Sequence, residues 1–229
     1  MTHRIGAFLV LAMVLGCADE ARAERKIVPG EFTVGIQPLG IFTDAQAQLI
    51  RTALQDVYGF EVRILDPRAM PKTAYYKPRH RHRADRILAI LGGIAREADS
   101  RCDLIMGLTD QDISTTKGTH KDWGIFGLGE VWGTACVVSS HRLTRKLGKK
   151  DRRKGLERVI KVAIHEAGHV LGLHHCETPG CVMHDAEGTV KTVDGETGHF
   201  CEDCQAFLRG RFAYPATHTF AVPWDKWLP

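Results

Sequence analysis

Three histidines, a glutamate and a glycine in His165-Glu166-Ala167-Gly168-His169-Val170-Leu171-Gly172-Leu173-His174-His175-Cys176 stand at spacings suited to hydrolysis at a zinc ion. On a helix, His165 and His169 project from one face a turn apart, so two neutral imidazoles can grip one Zn²⁺. Glu166 follows the first ligand directly. It lies beside the metal rather than on it, where a base for the metal's water belongs. Gly172 can take the left-handed conformation that ends a helix and turns the chain back. That turn lets His175 supply a third ligand and leaves the fourth position to water, which separates a catalytic zinc from a closed structural one. The bland alternative is a surface helix with incidental histidines. His174 is adjacent to the third ligand but out of register with the pattern.

A second constellation starts where the first ends. Cys176, Cys181, Cys201 and Cys204 follow the order C-x4-C-x19-C-x2-C. Four thiolates fit a closed tetrahedral zinc site. The same cysteines in an exported chain can form two disulfides, and Cys201-Glu202-Asp203-Cys204 alone can act as a redox pair. Spacing leaves all three open. Cys102 and Cys136 lie outside this set, either as a disulfide between two strands or as two small buried residues.

The elements that must carry these groups follow from periodicity. Leu156, Val159, Ile160, Ala163, Ile164 and Leu171 mark the buried face of a helix over 155–171, with His165 and His169 in its last two turns. Upstream, Glu31–Gln37 reads as a strand. Thr43-Asp44-Ala45-Gln46 opens a helix with a capping box, and Gly59 stops it. Phe60–Leu65 is a second strand and Ala84–Ala98 a second helix; Asp103–Leu108 and Thr134–Ser139 are apolar strands. Ile125–Val131, interrupted by glycines, suits an edge strand whose free backbone groups can pair with an extended peptide. Residues 66–83 read as a Pro-rich basic loop and Thr109–Trp123 as a long polar connection, of a size that often shapes a binding cleft. This order predicts an α+β fold, a twisted mixed sheet with helices packed on it. Trp224, Trp227 and the tail after Ala213 either cap the core or dock a partner.

With 229 residues, 44% hydrophobic and 25% charged, the chain has the composition of a globular protein with one domain or two small ones. A formal charge of +4 is too mild for a nucleic-acid binder. Ten Lys or Arg between Arg142 and Lys161 face only Asp151 and Glu157, and no aromatic residue is interleaved to stack on bases. They read as a solvated loop and the exposed side of a helix. His3 and Arg4, the apolar run Ile5–Leu15 and Ala21-Arg22-Ala23 form an export signal over residues 1–23. Val14-Leu15-Gly16-Cys17 competes with cleavage after Ala23, because it resembles a lipobox in which Cys17 would be acylated. Either way the expectation is an exported protein, periplasmic or extracellular, or a lipoprotein anchored at Cys17. No stretch is long enough to span a bilayer.

Taken together, His165-Glu166-x-x-His169-x-x-Gly172-x-x-His175-Cys176-x4-Cys181-x-Met183-x17-Cys201-x-x-Cys204 resembles the signature of the archaemetzincins, a branch of the metzincin metallopeptidases. The resemblance implies a metzincin-type zincin fold with an active-site helix and a small zinc-stapled C-terminal part, in a single domain over 24–229 with its core at about 31–210. It implies two zinc ions per chain: a catalytic one on His165, His169 and His175 with Glu166 as general base, and a structural one on Cys176, Cys181, Cys201 and Cys204. Met183 corresponds to the Met-turn residue beneath the catalytic metal; without the resemblance it reads as a core gap-filler. The expected activity is zinc-dependent peptide hydrolysis, as an endopeptidase or aminopeptidase-like enzyme, by a monomer acting on a peptide or protein substrate. Hydrolysis of another amide and a non-catalytic zinc-stabilised binding module are the rival readings. Export is the one departure from the resemblance, since free cysteines suit a reducing compartment.

Overall fold

A computed structural model describes residue 28 and residues 30–228; the expectations for Cys17 and for cleavage after Ala23 lie outside the described residues. A five-stranded sheet has the order β2-β1-β5-β9-β8, made of β1 (Thr33–Leu39), β2 (Glu61–Ile64), β5 (Leu104–Thr109), β8 (Gly127–Gly129) and β9 (Ala135–Ser139). β1 runs parallel to β2 and β5, β5 runs parallel to β9, and β8 closes the row antiparallel to β9. The sheet is therefore mixed, with the Gly-interrupted segment at its edge.

Every residue of β5 and β9 is buried, as expected of strands covered on both faces. One face meets α1 (Asp44–Tyr58) and α4 (Arg152–Val170) in the larger core cluster. The other meets α2 (Ala84–Ile94), whose Ile87, Leu88, Leu91 and Ile94 pack on Leu39, Ile105 and Val137. Cys136 belongs to the first cluster and Cys102 packs against the second. The sheet lies between them, and both are free thiols. Half of the capping box forms: Thr43 accepts from the Gln46 amide, while the Gln46 side chain accepts from the Thr43 hydroxyl rather than from its amide, and Gly59 at φ 68° ends α1. α2 stops at Ile94, not Ala98, just after Gly92-Gly93, where two glycines weaken the helix.

Two stretches expected to be irregular form a second sheet of order β3-β4-β6-β7. β6 (Ile113–Lys117) and β7 (His120–Ile125) are an antiparallel hairpin within the expected polar connection. β3 (Tyr75–Tyr76) and β4 (Arg81–Arg83) organise the basic loop, with β4 parallel to β6. Ion pairs hold this layer together. The Arg81 guanidinium lies 2.8 Å from Asp112 and 3.0 Å from Asp122, and Arg142 reaches Asp112 at 2.6 Å. Burial pushes the Asp112 carboxyl up, but its arginine partners outweigh that and hold it below the usual range.

The basic run before the active helix is likewise not a solvated face throughout. Arg158 is buried, makes two 2.7 Å bonds to Asp194, and donates to the Leu143 carbonyl. Lys161, also buried, donates to the Val193 carbonyl at 3.0 Å. Both fasten α4 to α5 (Val190–Gly195). The short α3 (His141–Thr144) precedes α4; α6 (Glu202–Arg211) and α7 (Trp224–Trp227) follow it. The tail caps the core: Phe220, Val222, Trp227 and Leu228 are buried, and the Trp227 indole donates to Asp56. The core therefore extends past residue 210. Among the described residues no helix is long and apolar enough to cross a membrane.

One buried hydrogen bond ties this scaffold to the active helix. Tyr58, fully buried at the end of α1, donates to the Ile164 carbonyl at 2.7 Å, one residue before His165. Tyr58→Phe removes it without changing the packing, and is expected to lower unfolding free energy by about 1 kcal/mol in urea titrations at unchanged m-value.

Candidate metal centre and active-site cleft

α4 ends at Val170, and Gly172 at φ 102° turns the chain back. A side chain at Gly172 would also collide with the Trp132 ring, so both conformation and space require glycine there. The turn brings the His175 ring to 5.3 Å from that of His165 and 4.8 Å from that of His169, centre to centre. One ring nitrogen from each of the three lies within 4.8 Å of the others. His174 is exposed and is not part of this trio.

Backbone carbonyls decide which nitrogens face inward. His165 Nδ1 is 2.7 Å from the Val182 carbonyl and His169 Nδ1 is 2.7 Å from the Leu173 carbonyl. A carbonyl only accepts, so each Nδ1 carries the proton and each Nε2 presents a lone pair. The two Nε2 atoms face each other at 3.0 Å. Burial, followed by the neighbouring His169, pushes His165 down to about 3; burial chiefly takes His169 down to about 4. Two neutral lone pairs at this distance repel unless a cation sits between them. A tetrahedral zinc with its usual bond lengths spaces nitrogen ligands by roughly 3.3 Å, so the donor set fits that ion.

Glu166 is 6% exposed and lines the same cleft. Burial raises its carboxyl to about 8; the Gly129 amide pulls it down and Asp185 pushes it further up. The edge strand comes this close because it has no side chains in the way. A Cβ on Gly127 would lie 2.4 Å from Glu166 Oε1, and one on Gly129 would lie 2.6 Å from the Glu166 carbonyl. Met183 sits beneath the helix, fully buried, in the space left by Gly168, where a Cβ would meet its sulfur at 2.6 Å.

The four cysteines also converge. Cys176 Sγ lies 3.6 Å from Cys201 Sγ, Cys181 Sγ lies 3.8 Å from Cys204 Sγ, and all four fall within 4.8 Å of one another. Sulfur ligands around a tetrahedral zinc stand roughly 3.8 Å apart, so this set fits a closed zinc site. Cys204 beside it holds the Cys181 thiol down, to about 5. The two centres share a backbone segment. Between Cys181 and Met183 stands Val182, whose carbonyl orients His165, and the Cys176 amide donates to the Met183 carbonyl at 2.9 Å.

The cleft above the histidines has a volume of about 480 Å³. Its far wall, Thr115, Thr116, Lys117 and Trp123, comes from the long polar connection whose size suggests a role in shaping a cleft, but the β6–β7 hairpin within it was not foreseen. Sequence reasoning did not single out Asp185 as a site residue; it lies 3.6 Å from His175 Nδ1 and 3.5 Å from Lys117 Nζ. Gly127→Ala is expected to force β8 away from Glu166 and to destabilise the fold by about 1–3 kcal/mol in urea titrations. A neutral effect would show that the strand and helix are not in tight contact.

The comparisons agree with this geometry. Peptidase family M54 matches the chain over residues 55–210. An archaemetzincin of Natronomonas pharaonis is 30% identical over 177 residues, which cover 75% of this chain and 96% of that protein. The crystal structure of archaemetzincin from Archaeoglobus fulgidus superposes with a TM-score of 0.64 at 31% identity, over 76% of this chain and 99% of that one. That from Methanopyrus kandleri gives 0.66 at 28% identity, over 79% and 94%. A match that takes in the active helix, the edge strand and all four cysteines places this chain in peptidase family M54, to which it belongs alongside the archaemetzincins.

Proposed function

We propose that His165, His169 and His175 hold a catalytic zinc, that Glu166 is the general base of peptide-bond hydrolysis, and that the four cysteines hold a second, structural zinc. Membership of peptidase family M54 makes the chain a zinc metallopeptidase. The observation that carries the assignment of residues is the pair of inward-facing His165 and His169 lone pairs at 3.0 Å, each with its Nδ1 proton tied to a carbonyl. Zinc bound there supplies an acidified water and polarises the scissile carbonyl.

The rest is done by the chain itself. β8 offers its outer backbone edge to an extended peptide and so aligns the scissile bond above the histidines. Glu166, shielded from solvent against β8, takes the proton of the attacking water on its carboxylate and returns it to the leaving amine. Pairing along a strand engages residues on both sides of the bond, which favours endopeptidase over aminopeptidase action and a peptide over another amide. A non-catalytic binding module has no use for a buried glutamate beside the metal. Residues 1–23 are proposed to direct export.

Glu166→Ala is expected to reduce peptide hydrolysis by roughly 10²–10⁴-fold while zinc content by elemental analysis stays unchanged. Full activity in that variant would overturn the mechanism. The shared 181–183 segment gives a second expectation. Cys201→Ser should lower the affinity of the histidine site for zinc by roughly 10–100-fold in chelator competition, although Cys201 touches no catalytic ligand. Unchanged affinity would show the two centres to be independent.

A further inference from the structure

Glu196, at the end of α5, is a buried carboxylate that the peptidase mechanism does not use. It is 6% exposed, and the surface it keeps opens into the active-site cleft, beside Val162 and Val193. Among the described residues it makes no hydrogen bond or ion pair through its side chain. The cation that acts on it is Lys161, for which Glu196 is in turn the foremost charge partner, but no hydrogen bond joins the two, and the ammonium donates to the Val193 carbonyl at 3.0 Å. Burial accordingly pushes the Glu196 carboxyl up, to about 8. A cation entering from the cleft would favour its charged form and supply the direct partner that its side chain lacks.

The surroundings suit one kind of partner. Val162 stands one turn before Glu166 on α4, and Val193 one turn before Glu196, so the approach to the carboxylate is apolar. An aliphatic stem can lie along those valines while its charged head reaches the acid. Apart from the zinc proposed at the histidines, the cleft is lined by more acidic than basic side chains. Its acidic lining groups are Glu166, Asp185, Glu187 and Glu196, against Lys117 alone among Lys and Arg, and Lys117 is already 3.5 Å from Asp185. The position of Glu196 is also fixed rather than loose. Next to it, the Thr197 amide and hydroxyl both donate to the Gly180 carbonyl at 2.9 Å, and the Thr197 carbonyl accepts from the Trp224 indole.

We infer that the cleft selects peptides with a lysine or arginine side chain beside the scissile bond, and that Glu196 is the residue that recognises it. This rests on the peptidase reading above and narrows its substrate class. Recognition by one desolvated carboxylate is expected to be worth about tenfold or more over an uncharged isostere.

The test measures binding to the zinc-loaded full chain, so it does not depend on finding a cleavable substrate. Two peptide hydroxamates are compared that differ only in one side chain, lysine in one and norleucine in the other. The expected result is at least about tenfold tighter binding of the lysine compound to the wild type, with the preference lost in Glu196→Gln and kept in Glu187→Gln. Equal affinities in the wild type overturn the inference without involving any variant. A lysine preference that survives Glu196→Gln, or disappears in Glu187→Gln instead, removes Glu196 as the recognising group. Failure of both hydroxamates to bind the zinc-loaded protein overturns the peptidase reading itself, and the inference with it.

Discussion

Two imidazole lone pairs held 3.0 Å apart are the constraint on which the rest of this structure depends. Left alone they repel, and each ring could escape by turning about its side-chain bonds. The Val182 and Leu173 carbonyls prevent that by holding the opposite nitrogens at 2.7 Å. Each carbonyl must then be fixed in turn. Leu173 is placed by the left-handed Gly172, and Val182 by its neighbours Cys181 and Met183 and by its amide, which donates to the His199 carbonyl at 2.8 Å. The cysteine cluster is thus part of the active site's support, because it holds the loop that orients the first ligand.

Around this point the fold trades stability for a shaped cleft. Glu166 is buried without the solvation that a carboxylate prefers, and β8 must bring its backbone against it. Glycine at 127 and 129 makes that approach possible but weakens the strand, which is why the site lies at the sheet's edge rather than in its middle. Further in, β5 and β9 are covered on both faces, and the Tyr58 bond anchors α4 at Ile164. A polar site of low local stability is tolerable next to a core of that kind.

Elements governed by local rules were legible in the sequence. Thr43, Gly59 and Gly172 act as the cap and the stops their chemistry suggests, and β1, β5 and β9 come from apolar runs. The converging histidines and cysteines follow from spacing, since ligands within one helix, one turn and one loop have little freedom to be anywhere else. What stayed hidden was set by partners remote in sequence. The β6–β7 hairpin has polar residues on both faces, so no burial pattern marks it as strand. Arg81 and Arg142 looked like solvated charge because Asp112, which neutralises both, is 31 and 30 residues away. Arg158 and Lys161 misled for the same reason, since their acceptors lie on α5.

Those remote pairings explain why the hydrolytic centre was easier to read than its selectivity. The ligands and base must satisfy a metal and a water, whose demands are the same in any chain, so their spacing is stereotyped. The walls of the cleft have no such template. One comes from a hairpin held by the Arg81–Asp112–Arg142 ion pairs, the other from α5, held by Arg158 to Asp194 and Lys161 to the Val193 carbonyl. The same contacts that fasten α5 hold Lys161, the cation that acts on Glu196, on the Val193 carbonyl, and Glu196 lines the cleft without a hydrogen-bonded partner. Packing that looks purely structural therefore sets the charge a substrate meets, and a change at Arg158 or Asp194 would act on selectivity by moving the wall rather than by touching the substrate.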